Sequence, residues 1–213
     1  MVLSKIALVL VAYLIGSIPT AVWIGKLFYN TDVREHGSGN AGATNTFRVL
    51  GKKAGIPVLI IDILKGTVSV LLVNSTSILQ ETNEFFYLQI ALGIACLLGH
   101  IFPVFAGFRG GKGVATLLGI VIAIQPLAAI ISMIIFLIVL IAFRYVSLAS
   151  MIAGLSYPIT VLTYIKSENN LLIAFSILVA ILLVITHKRN IDRLLKKQES
   201  KINFGFVKTK SKN

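Results

Sequence analysis

The chain has 213 residues, of which 56% are hydrophobic and only 13% are charged, and its mean hydropathy is +0.90. A soluble domain of this length carries roughly 25% charged residues, so the composition excludes an ordinary soluble fold and indicates an integral membrane protein. The formal net charge is +12, but the basic residues lie in short stretches between apolar runs, where they set orientation and meet anionic lipid. Nucleic acid is therefore not an expected partner.

Six long apolar runs follow one another along the chain. A span needs about 20 residues at 1.5 Å rise per residue, so the run over residues 114–143 is too long for one crossing. The dipeptide Gln125-Pro126 interrupts it, and we expect two helices there, the first rather short. The predicted fold is an all-α membrane protein with seven transmembrane helices, drawn from Ile6–Phe28, Ala54–Val73, Phe85–Phe105, the divided run Val114–Phe143, Val146–Ile165 and Leu171–Thr186.

The basic residues predict how this bundle is oriented. On a seven-span topology sixteen of the lysines and arginines fall on one side, nine of them from Lys188 onward, and only Lys5 and Lys166 fall on the other. The positive-inside rule assigns the richer side to the cytoplasm. We therefore expect an extracellular N-terminus, a cytoplasmic C-terminus, one seven-helix domain over residues 1–202 and a basic cytoplasmic tail over residues 203–213.

The polar segment from His36 to Arg48 is longer than a turn between two spans needs. Its three glycines let backbone N–H groups approach an anion closely, and its hydroxyl and amide side chains offer further donors. Arg48 adds a planar guanidinium that can bind phosphate through two N–H groups. A plain polar turn is the alternative. The candidate phosphate ligands are Ser38, Asn40, Thr44, Asn45 and Arg48.

A second polar segment, residues 107–116, leads directly into a predicted helix. Consecutive glycines can form a nest of N–H groups, and the helix N-terminus adds its dipole to the charge of Lys112. The segment is not a nucleotide-binding P-loop, because Ala106 stands where that motif needs glycine and Gly113 stands where it needs serine or threonine. The candidate phosphate ligands here are Gly110, Gly111, Lys112, Gly113 and Thr116.

Further polar residues open and close the last two predicted spans on the same side. Ser147 and Ser150 are one helical turn apart, as are His187 and Asn190. His187 alone would be interpreted as an interfacial histidine, but its place beside two phosphate-suited loops makes Ser150, His187 and Asn190 candidates for the site. The three histidines show no metal-ligand spacing, so we expect no metal.

Asp62 and Lys65 are charged residues within the second apolar run, three positions apart. Unpaired charges in a membrane cost about 2.5–3.5 kcal/mol each on insertion scales, so we expect the two to pair with each other. Their expected role is structural support that positions the first polar loop, rather than a direct part in catalysis.

These segments resemble the bacterial acyl-phosphate:glycerol-3-phosphate acyltransferase family (PlsY). The resemblance runs from Gly16 to Glu199, and its motifs are Gly16–Pro19, Gly37–Asn45, Asp62–Gly66, Gly99–Phe105, Gly110–Thr116 and Asn190–Leu195 with Glu199. It implies a seven-span fold with an extracellular N-terminus. It also implies transfer of a fatty acyl group from acyl phosphate to the 1-position of sn-glycerol 3-phosphate, giving lysophosphatidate (1-acylglycerol 3-phosphate) and inorganic phosphate. That reaction is the first acylation of bacterial phospholipid biosynthesis.

The same resemblance implies roles for particular residues. Ser38, Arg48, Lys112, His187 and Asn190 would form the catalytic group, with Ser150 near the phosphates and Glu199 as structural support. It implies no cofactor, and a site facing the cytoplasm at the bacterial cell membrane. The expected partners are glycerol 3-phosphate, long-chain acyl phosphate and membrane lipid, and the resemblance leaves room for coupling to an enzyme that forms acyl phosphate. The sequence departs from the family at Lys197, where glycine is common.

Other functions remain as alternatives at this point. A transporter of phosphate or of a phosphorylated metabolite would show an inverted repeat with paired broken helices, and a purely structural membrane protein would not need the glycine-rich loops. Acyltransferases that use thioesters commonly carry a His-x-x-x-x-Asp pair, and only His187 with Asp192 has that spacing. We expect direct attack by the glycerol hydroxyl, and the resemblance implies that a substrate phosphate serves as the base.

Overall fold

A computed structural model of the protein describes residues 2–80 and 82–202, and the predicted tail over residues 203–213 lies outside them. Within the described residues the chain forms ten α-helices and three short 3₁₀ helices, and no strand. The α-helices are α1 (Val2–Gly16), α2 (Thr20–Tyr29), α3 (Ala43–Leu50), α4 (Lys52–Leu71), α5 (Asn83–Ile101), α6 (Val114–Ile124), α7 (Pro126–Phe143), α8 (Val146–Thr163), α9 (Asn170–Thr186) and α10 (Lys188–Leu195). The 3₁₀ helices are Val33–Glu35, Leu72–Ser75 and Val104–Ala106.

Several of these helices are long and apolar enough to cross a membrane. Among the described residues four meet that criterion alone, namely α7, α8, and α4 and α5 with the 3₁₀ turns that follow them. The bent pairs α1–α2, at 41°, and α9–α10, at 58°, raise the number to six if each pair is one span. Helix α6 is apolar but has only 11 residues, or about 17 Å of length. The prediction of an all-helical membrane fold is confirmed for this part of the chain.

The first apolar run is not the single helix that we predicted over Ile6–Phe28. Helix α1 ends at Gly16 and α2 begins at Thr20, with a bend of 41° between them. Pro19 lies at the bend. Proline has no N–H to continue the helical ladder, and it disfavours the helical conformation in the residue before it. A break of this kind exposes backbone carbonyls that lipid cannot satisfy.

Asp62 and Lys65 of α4 form an ion pair at this break. The Lys65 Nζ lies 2.8 Å from the Asp62 Oδ1, and the side chains are only 4% and 2% exposed. Lys65 also donates to the carbonyl of Ile18, at 3.1 Å, and the Thr20 hydroxyl donates to Asp62, at 3.1 Å. The direct hydrogen bonds of the pair therefore go to the bend in the first span, and not to the polar loop that we expected it to position.

Helices α6 and α7 divide where the sequence predicts. Helix α6 ends at Ile124 and α7 begins at Pro126, where a proline loses nothing because the first helical N–H has no partner. Two glycines then bring α6 against α4. A Cβ on Gly66 would lie 2.2 Å from the carbonyl oxygen of Thr116, and one on Gly119 would lie 1.9 Å from that of Ile63. Close backbone contact of this kind is typical of membrane helices, and it fixes the start of α6.

The polar segments gather at one end of the bundle. The Arg34 guanidinium donates to the carbonyl of Ala106, at 2.8 Å, which joins the segment after α2 to the segment after α5. Lys112, just before α6, donates to Asn190 of α10. The N–H of Ile202 donates to the carbonyl of Arg144 between α7 and α8, at 2.8 Å. This end of the bundle therefore brings together the segments in which the candidate residues lie.

Candidate active site

Asn45 holds the first polar loop in its shape. Its Oδ1 accepts hydrogen bonds from the N–H and hydroxyl of Ser38, at 2.8 and 3.1 Å, and its Nδ2 donates to the carbonyls of Val33 and His36, at 2.7 and 3.1 Å. The residue is 2% exposed. Gly37 has a φ of +61°, and a Cβ there would lie 2.4 Å from the Asn45 Oδ1. Asn45 thus spends its polar atoms inside the loop rather than in the space that a ligand could enter.

An ion pair between Asp32 and Arg34 ties the segment before the first polar loop to the segment that follows α5. Asp32 accepts from the Arg34 Nε and Nη2, at 3.0 and 2.7 Å, while the Nη1 reaches the Ala106 carbonyl. The hydrogen bond from the Arg34 side chain holds the pKa of Asp32 well below its ordinary value, so the carboxylate stays ionised. The sequence pattern does not single out this pair, because an acid two residues before an arginine is common in loops.

The free backbone N–H groups of the glycine-rich loop lie later in the chain than predicted. The N–H of Gly110 donates to the Ile101 carbonyl and that of Gly111 to the His100 carbonyl, each at 3.2 Å. The first helical bond of α6 runs from the N–H of Leu117 to the Gly113 carbonyl, at 2.7 Å. Within the described chain the N–H groups of residues 112–116 therefore have no protein acceptor. We call them the donor nest, because free N–H groups at a helix N-terminus can donate to an anion.

The side chain of Thr116 is turned away from this nest. Its hydroxyl lies 3.1 Å from the Nδ1 of His100, and the residue is fully buried. The hydroxyl thus has a buried partner in this structure and does not line the cleft. Only the backbone N–H of Thr116 belongs to the donor nest.

An open cleft of about 370 Å³ lies beside the two loops and the junction of α9 with α10. Five predicted site residues line it, namely Ser38, Asn40, Gly111, Lys112 and Asn190. Three cations that the sequence did not single out also line it: Lys188, Arg189 and Arg193. Their only sequence signal is that they flank Asn190 within two helical turns just after a span. The remaining lining residues are Gly39, Ile185 and Thr186.

A chain of hydrogen bonds holds Lys112 in place. Its Nζ donates to the Oδ1 of Asn190, whose Nδ2 donates to the Oε1 of Glu199, at 2.6 Å. Glu199 also accepts from the Ser147 hydroxyl and the Arg193 Nε, each at 2.7 Å. Burial alone would raise the pKa of Glu199, but hydrogen bonds from Arg193, Ser147 and Asn190 outweigh it and leave this pKa below its ordinary value. The ionised carboxylate thus orients Asn190.

Burial lowers the pKa of Lys112 to about 8. The negative charge of Glu199 acts in the opposite direction, while the positive charges of Arg193 and Arg48 lower the pKa further. The cleft therefore concentrates positive charge around a partly desolvated ammonium group. A bound dianion would relieve this repulsion and favour the protonated lysine.

The other candidates lie around the cleft without lining it. Arg48, on the last turn of α3, is exposed, as is Thr44 on its first turn. Ser150 is 2% exposed, and its hydroxyl donates to the Val146 carbonyl of its own helix, at 2.8 Å. His187 lies between α9 and α10.

The geometry of His187 bears on the thioester alternative. Its Nδ1 lies 2.7 Å from the carbonyl of Leu183, which can only accept, so Nδ1 carries the proton and the neutral ring presents Nε2 as an acceptor. Asp192 is exposed, and in the described part of the chain no contact joins it to His187. The two residues do not form a His–Asp dyad in this structure.

A family model described as glycerol-3-phosphate acyltransferase matches residues 6–197. The chain belongs to the glycerol-3-phosphate acyltransferase family. The resemblance seen in its motifs is confirmed. Two relatives with that name show how close the match is. The protein of Enterococcus faecalis is 45% identical over 214 residues, which cover 97% of this chain and 96% of the relative. The protein of Listeria monocytogenes is 43% identical over 204 residues, which cover 96% of this chain and 100% of the relative.

Solved structures of the glycerol-3-phosphate acyltransferase family share the fold. A crystal structure of PlsY (YgiH), an integral membrane glycerol 3-phosphate acyltransferase in its glycerol 3-phosphate form, superposes with a TM-score of 0.84 at 39% identity, covering 94% of this chain and 96% of that one. The lysophosphatidic acid form superposes with a TM-score of 0.81 at 38% identity. The present chain is therefore an integral membrane protein of the same architecture.

Proposed function

We propose that this member of the family transfers a fatty acyl group from acyl phosphate to the 1-hydroxyl of sn-glycerol 3-phosphate, giving lysophosphatidate and inorganic phosphate. Membership of the family supports the general activity, that of a membrane glycerol-3-phosphate acyltransferase. One observation supports the more specific part of the proposal, the use of acyl phosphate as the donor. The cleft brings Lys112, which begins the segment with free N–H groups before and at the start of α6, together with three further cations at the α9–α10 junction.

Two separate groups of donors suit two phosphates. One group is the N-terminus of α6 with Lys112, where backbone dipoles and an ammonium converge. The other is the set of Lys188, Arg189 and Arg193 at the junction of α9 with α10, which lines the same cleft. An acceptor and a donor that each carry phosphate fill both groups, whereas a thioester donor would leave one of them without its anion. Ile185, which also lines the cleft, begins the apolar surface that an acyl chain would follow.

The reaction needs positioning and charge stabilisation more than a protein nucleophile. The 1-hydroxyl oxygen attacks the carbonyl carbon of the mixed anhydride, and a new carbon–oxygen bond forms. The bond from that carbon to the phosphate oxygen breaks, and inorganic phosphate leaves with the electron pair. The hydroxyl proton passes to a phosphate oxygen of a substrate. Lys112 and the N–H groups of the donor nest stabilise the charge that develops, and no cofactor takes part.

The proposed roles of the candidate residues follow from where their side chains lie. Ser38, Asn40, Lys112 and Asn190 act in the cleft, while Arg48 and His187 act from its edge. Ser150, Thr44 and the glycines support the phosphate sites, and Asn45 shapes the loop that carries Ser38. Glu199 acts on the site through Asn190, and Asp62 with Lys65 supports the helices beneath it.

We further propose seven spans over residues 1–202, with the N-terminus outside, the tail over residues 203–213 in the cytoplasm, and the site facing the cytoplasm at the bacterial cell membrane. The course of the chain supports this topology. Helices α2, α5, α7 and α9 run toward the end that holds the site, and α4, α6 and α8 run away from it. That alternation, together with the sixteen basic residues assigned to one side, favours seven crossings.

The proposed reaction is tested with purified protein in detergent, supplied with palmitoyl phosphate and glycerol 3-phosphate. We expect lysophosphatidate and inorganic phosphate in equal amounts, with formation dependent on both substrates. Lys112→Ala should lower kcat/KM by at least about a hundredfold, or about 2.7 kcal/mol of transition-state stabilisation. Lys53→Ala, which removes an exposed charge at the same end, should stay within about twofold of the parent. No lysophosphatidate from the parent protein would contradict the proposal.

A further inference from the structure

His100, in the last turn of α5, holds the glycine-rich loop at three points. Its carbonyl accepts the N–H of Gly111, at 3.2 Å. Its Nδ1 is hydrogen-bonded to the Thr116 hydroxyl, at 3.1 Å. Its Nε2 packs so closely on Gly111 that a Cβ there would lie 2.2 Å away. Both ends of the segment from residue 111 to residue 116 are thus tied to one residue, which is itself only 6% exposed.

The free N–H groups of residues 112–116 lie between these two attachment points. A nest of this kind binds an anion well only when its N–H groups converge on one position. The N–H groups of a glycine-rich segment do not converge without outside support, because each glycine has a wide choice of conformations. The two ties from His100 remove that freedom from outside the cleft.

His100 lies beside the buried ion pair of α4. The Asp62 Oδ1 lies 3.8 Å from its Nδ1, and Asp62 is fixed by Lys65 and by the Thr20 hydroxyl. From the other side, the start of α6 is pressed against Gly66 of α4, where a Cβ would lie 2.2 Å from the Thr116 carbonyl. The start of α6 is therefore fixed by close backbone packing against α4 as well as by the bond between Thr116 and His100.

We propose that His100 and Thr116 are positioning residues, which hold the N–H groups of residues 112–116 in the arrangement that binds a substrate phosphate. Neither side chain needs to touch the substrate, since both act through the backbone of the loop. The identity of the anion as a substrate phosphate rests on the function proposed above. The inference predicts a loss of phosphate affinity when the tie is cut, beyond any loss of stability.

The test compares Thr116→Val, which keeps the shape but removes the hydroxyl, with Thr116→Ser, which keeps the hydroxyl. Dissociation constants of glycerol 3-phosphate and of inorganic phosphate are measured by calorimetry on the purified full-length protein, and the melting temperature is recorded. We expect Thr116→Val to raise both constants at least about fivefold, or about 1 kcal/mol, and Thr116→Ser to stay within about twofold. The same change should raise the KM for glycerol 3-phosphate and leave kcat within about twofold.

Thr67→Val is the matched control. The Thr67 hydroxyl donates to the Gly119 carbonyl of α6, at 3.0 Å, so this change also removes a hydroxyl, here a part-buried one, from the interface of α4 with α6, one turn farther from the loop. It should lower the melting temperature about as much as Thr116→Val does, without weakening phosphate binding. Equal effects of the two valine variants on the dissociation constants would overturn the inference.

A second pair of variants addresses the histidine. In His100→Asn the amide can stand where Nδ1 stood and bond to Thr116, whereas His100→Leu cannot. We expect the asparagine variant to bind phosphate more tightly than the leucine variant. If Thr116→Val gives no folded protein, this pair decides, and equal affinities in the two His100 variants would overturn the inference.

These outcomes are separable from those for the proposed function, because binding is measured without any acyl donor. Selective weakening of phosphate binding in Thr116→Val, with no turnover of acyl phosphate by the parent protein, would support the inference and contradict the proposed reaction. Normal turnover of acyl phosphate by the parent protein, with unchanged phosphate binding in Thr116→Val, would support the proposed reaction and contradict the inference. A parent protein that binds neither phosphate nor glycerol 3-phosphate would overturn the inference as well.

Discussion

Replacement of Glu199 by glutamine tests the hydrogen bonds that orient Lys112. The Glu199 side chain is 6% exposed and accepts bonds from Ser147, Asn190 and Arg193. Glutamine keeps an acceptor for Ser147 and Asn190, but its amide nitrogen then faces the Arg193 guanidinium, so one charge-assisted bond is lost. Because Asn190 bonds directly to Lys112, the loss should also appear in activity.

The size of the effect follows from the kind of bond. Hydrogen bonds to charged groups contribute about 1.5–3 kcal/mol, and since the Arg193 side chain is 36% exposed, the lower figure of about 1.5 kcal/mol applies. Glu199→Ala removes all three bonds and leaves the Asn190 amide unsatisfied, so its cost should be about 3–5 kcal/mol. Misplacement of Asn190 and Lys112 should lower kcat/KM between about tenfold and about a hundredfold in the glutamine variant.

Stability is measured by reversible unfolding of the purified protein in mixed detergent micelles, and kcat/KM with glycerol 3-phosphate. The matched control is Glu84→Gln, which makes the same change at the start of α5, where Glu84 pairs with Lys5. That carboxylate is half exposed, so its loss should cost no more than about 1 kcal/mol and leave turnover unchanged. If Glu199→Gln matched the parent or the control in both measurements, Glu199 would not orient Lys112 through Asn190.

Three further predictions concern charge and topology. Arg48→Lys keeps the charge but loses the two-pronged contact with phosphate, so kcat/KM should fall at least about tenfold, and a near-parental rate would remove Arg48 from the site. The pKa of Lys112 is lowered to about 8, so the protonated lysine is lost as the pH rises through about 8, and kcat/KM should fall over the same range. A phosphate monoester loses its second proton near pH 6 and therefore cannot cause that fall. In Lys112→Arg the alkaline fall should move to higher pH, and an unchanged profile would contradict the assignment. In a Cys96→Ala background, an impermeant thiol reagent on intact cells should label a cysteine at Asn83 and not one at Ser38, and the reverse would contradict the seven-span topology.

Some features of the fold could be predicted from sequence because they are local. The break between α6 and α7 was predictable, since a polar residue and a proline interrupt an apolar run at Gln125-Pro126. The break before Thr20 was not predicted, although Ser17 and Pro19 lie there, because the whole run has the length of one span. What makes that break stable is the Lys65 ammonium bonded to the Ile18 carbonyl, and the sequence does not show that this residue, distant along the chain, lies beside it.

The candidate site could likewise be predicted only in part from the sequence. Residue types identified the loops that gather at the cleft, and Ser38, Lys112 and Asn190 do line it. They did not reveal which donors are already used. Asn45 and Thr116 have the chemistry of phosphate ligands, yet their side chains bond within the protein. Conversely, Arg193 belongs to the cleft because α10 turns away from α9 by 58°, a bend that hydropathy does not predict.

The choice of acyl donor shows whether the cleft acts on two substrates that each carry phosphate. Purified protein is given glycerol 3-phosphate with either palmitoyl phosphate or palmitoyl-CoA at equal concentration, and lysophosphatidate is measured. The two groups of anion donors in the cleft suit a donor that carries its own phosphate, and His187 and Asp192 do not form the dyad that thioester-dependent acyltransferases commonly use. We therefore predict turnover with palmitoyl phosphate and none with palmitoyl-CoA. Comparable rates with the two donors would contradict it.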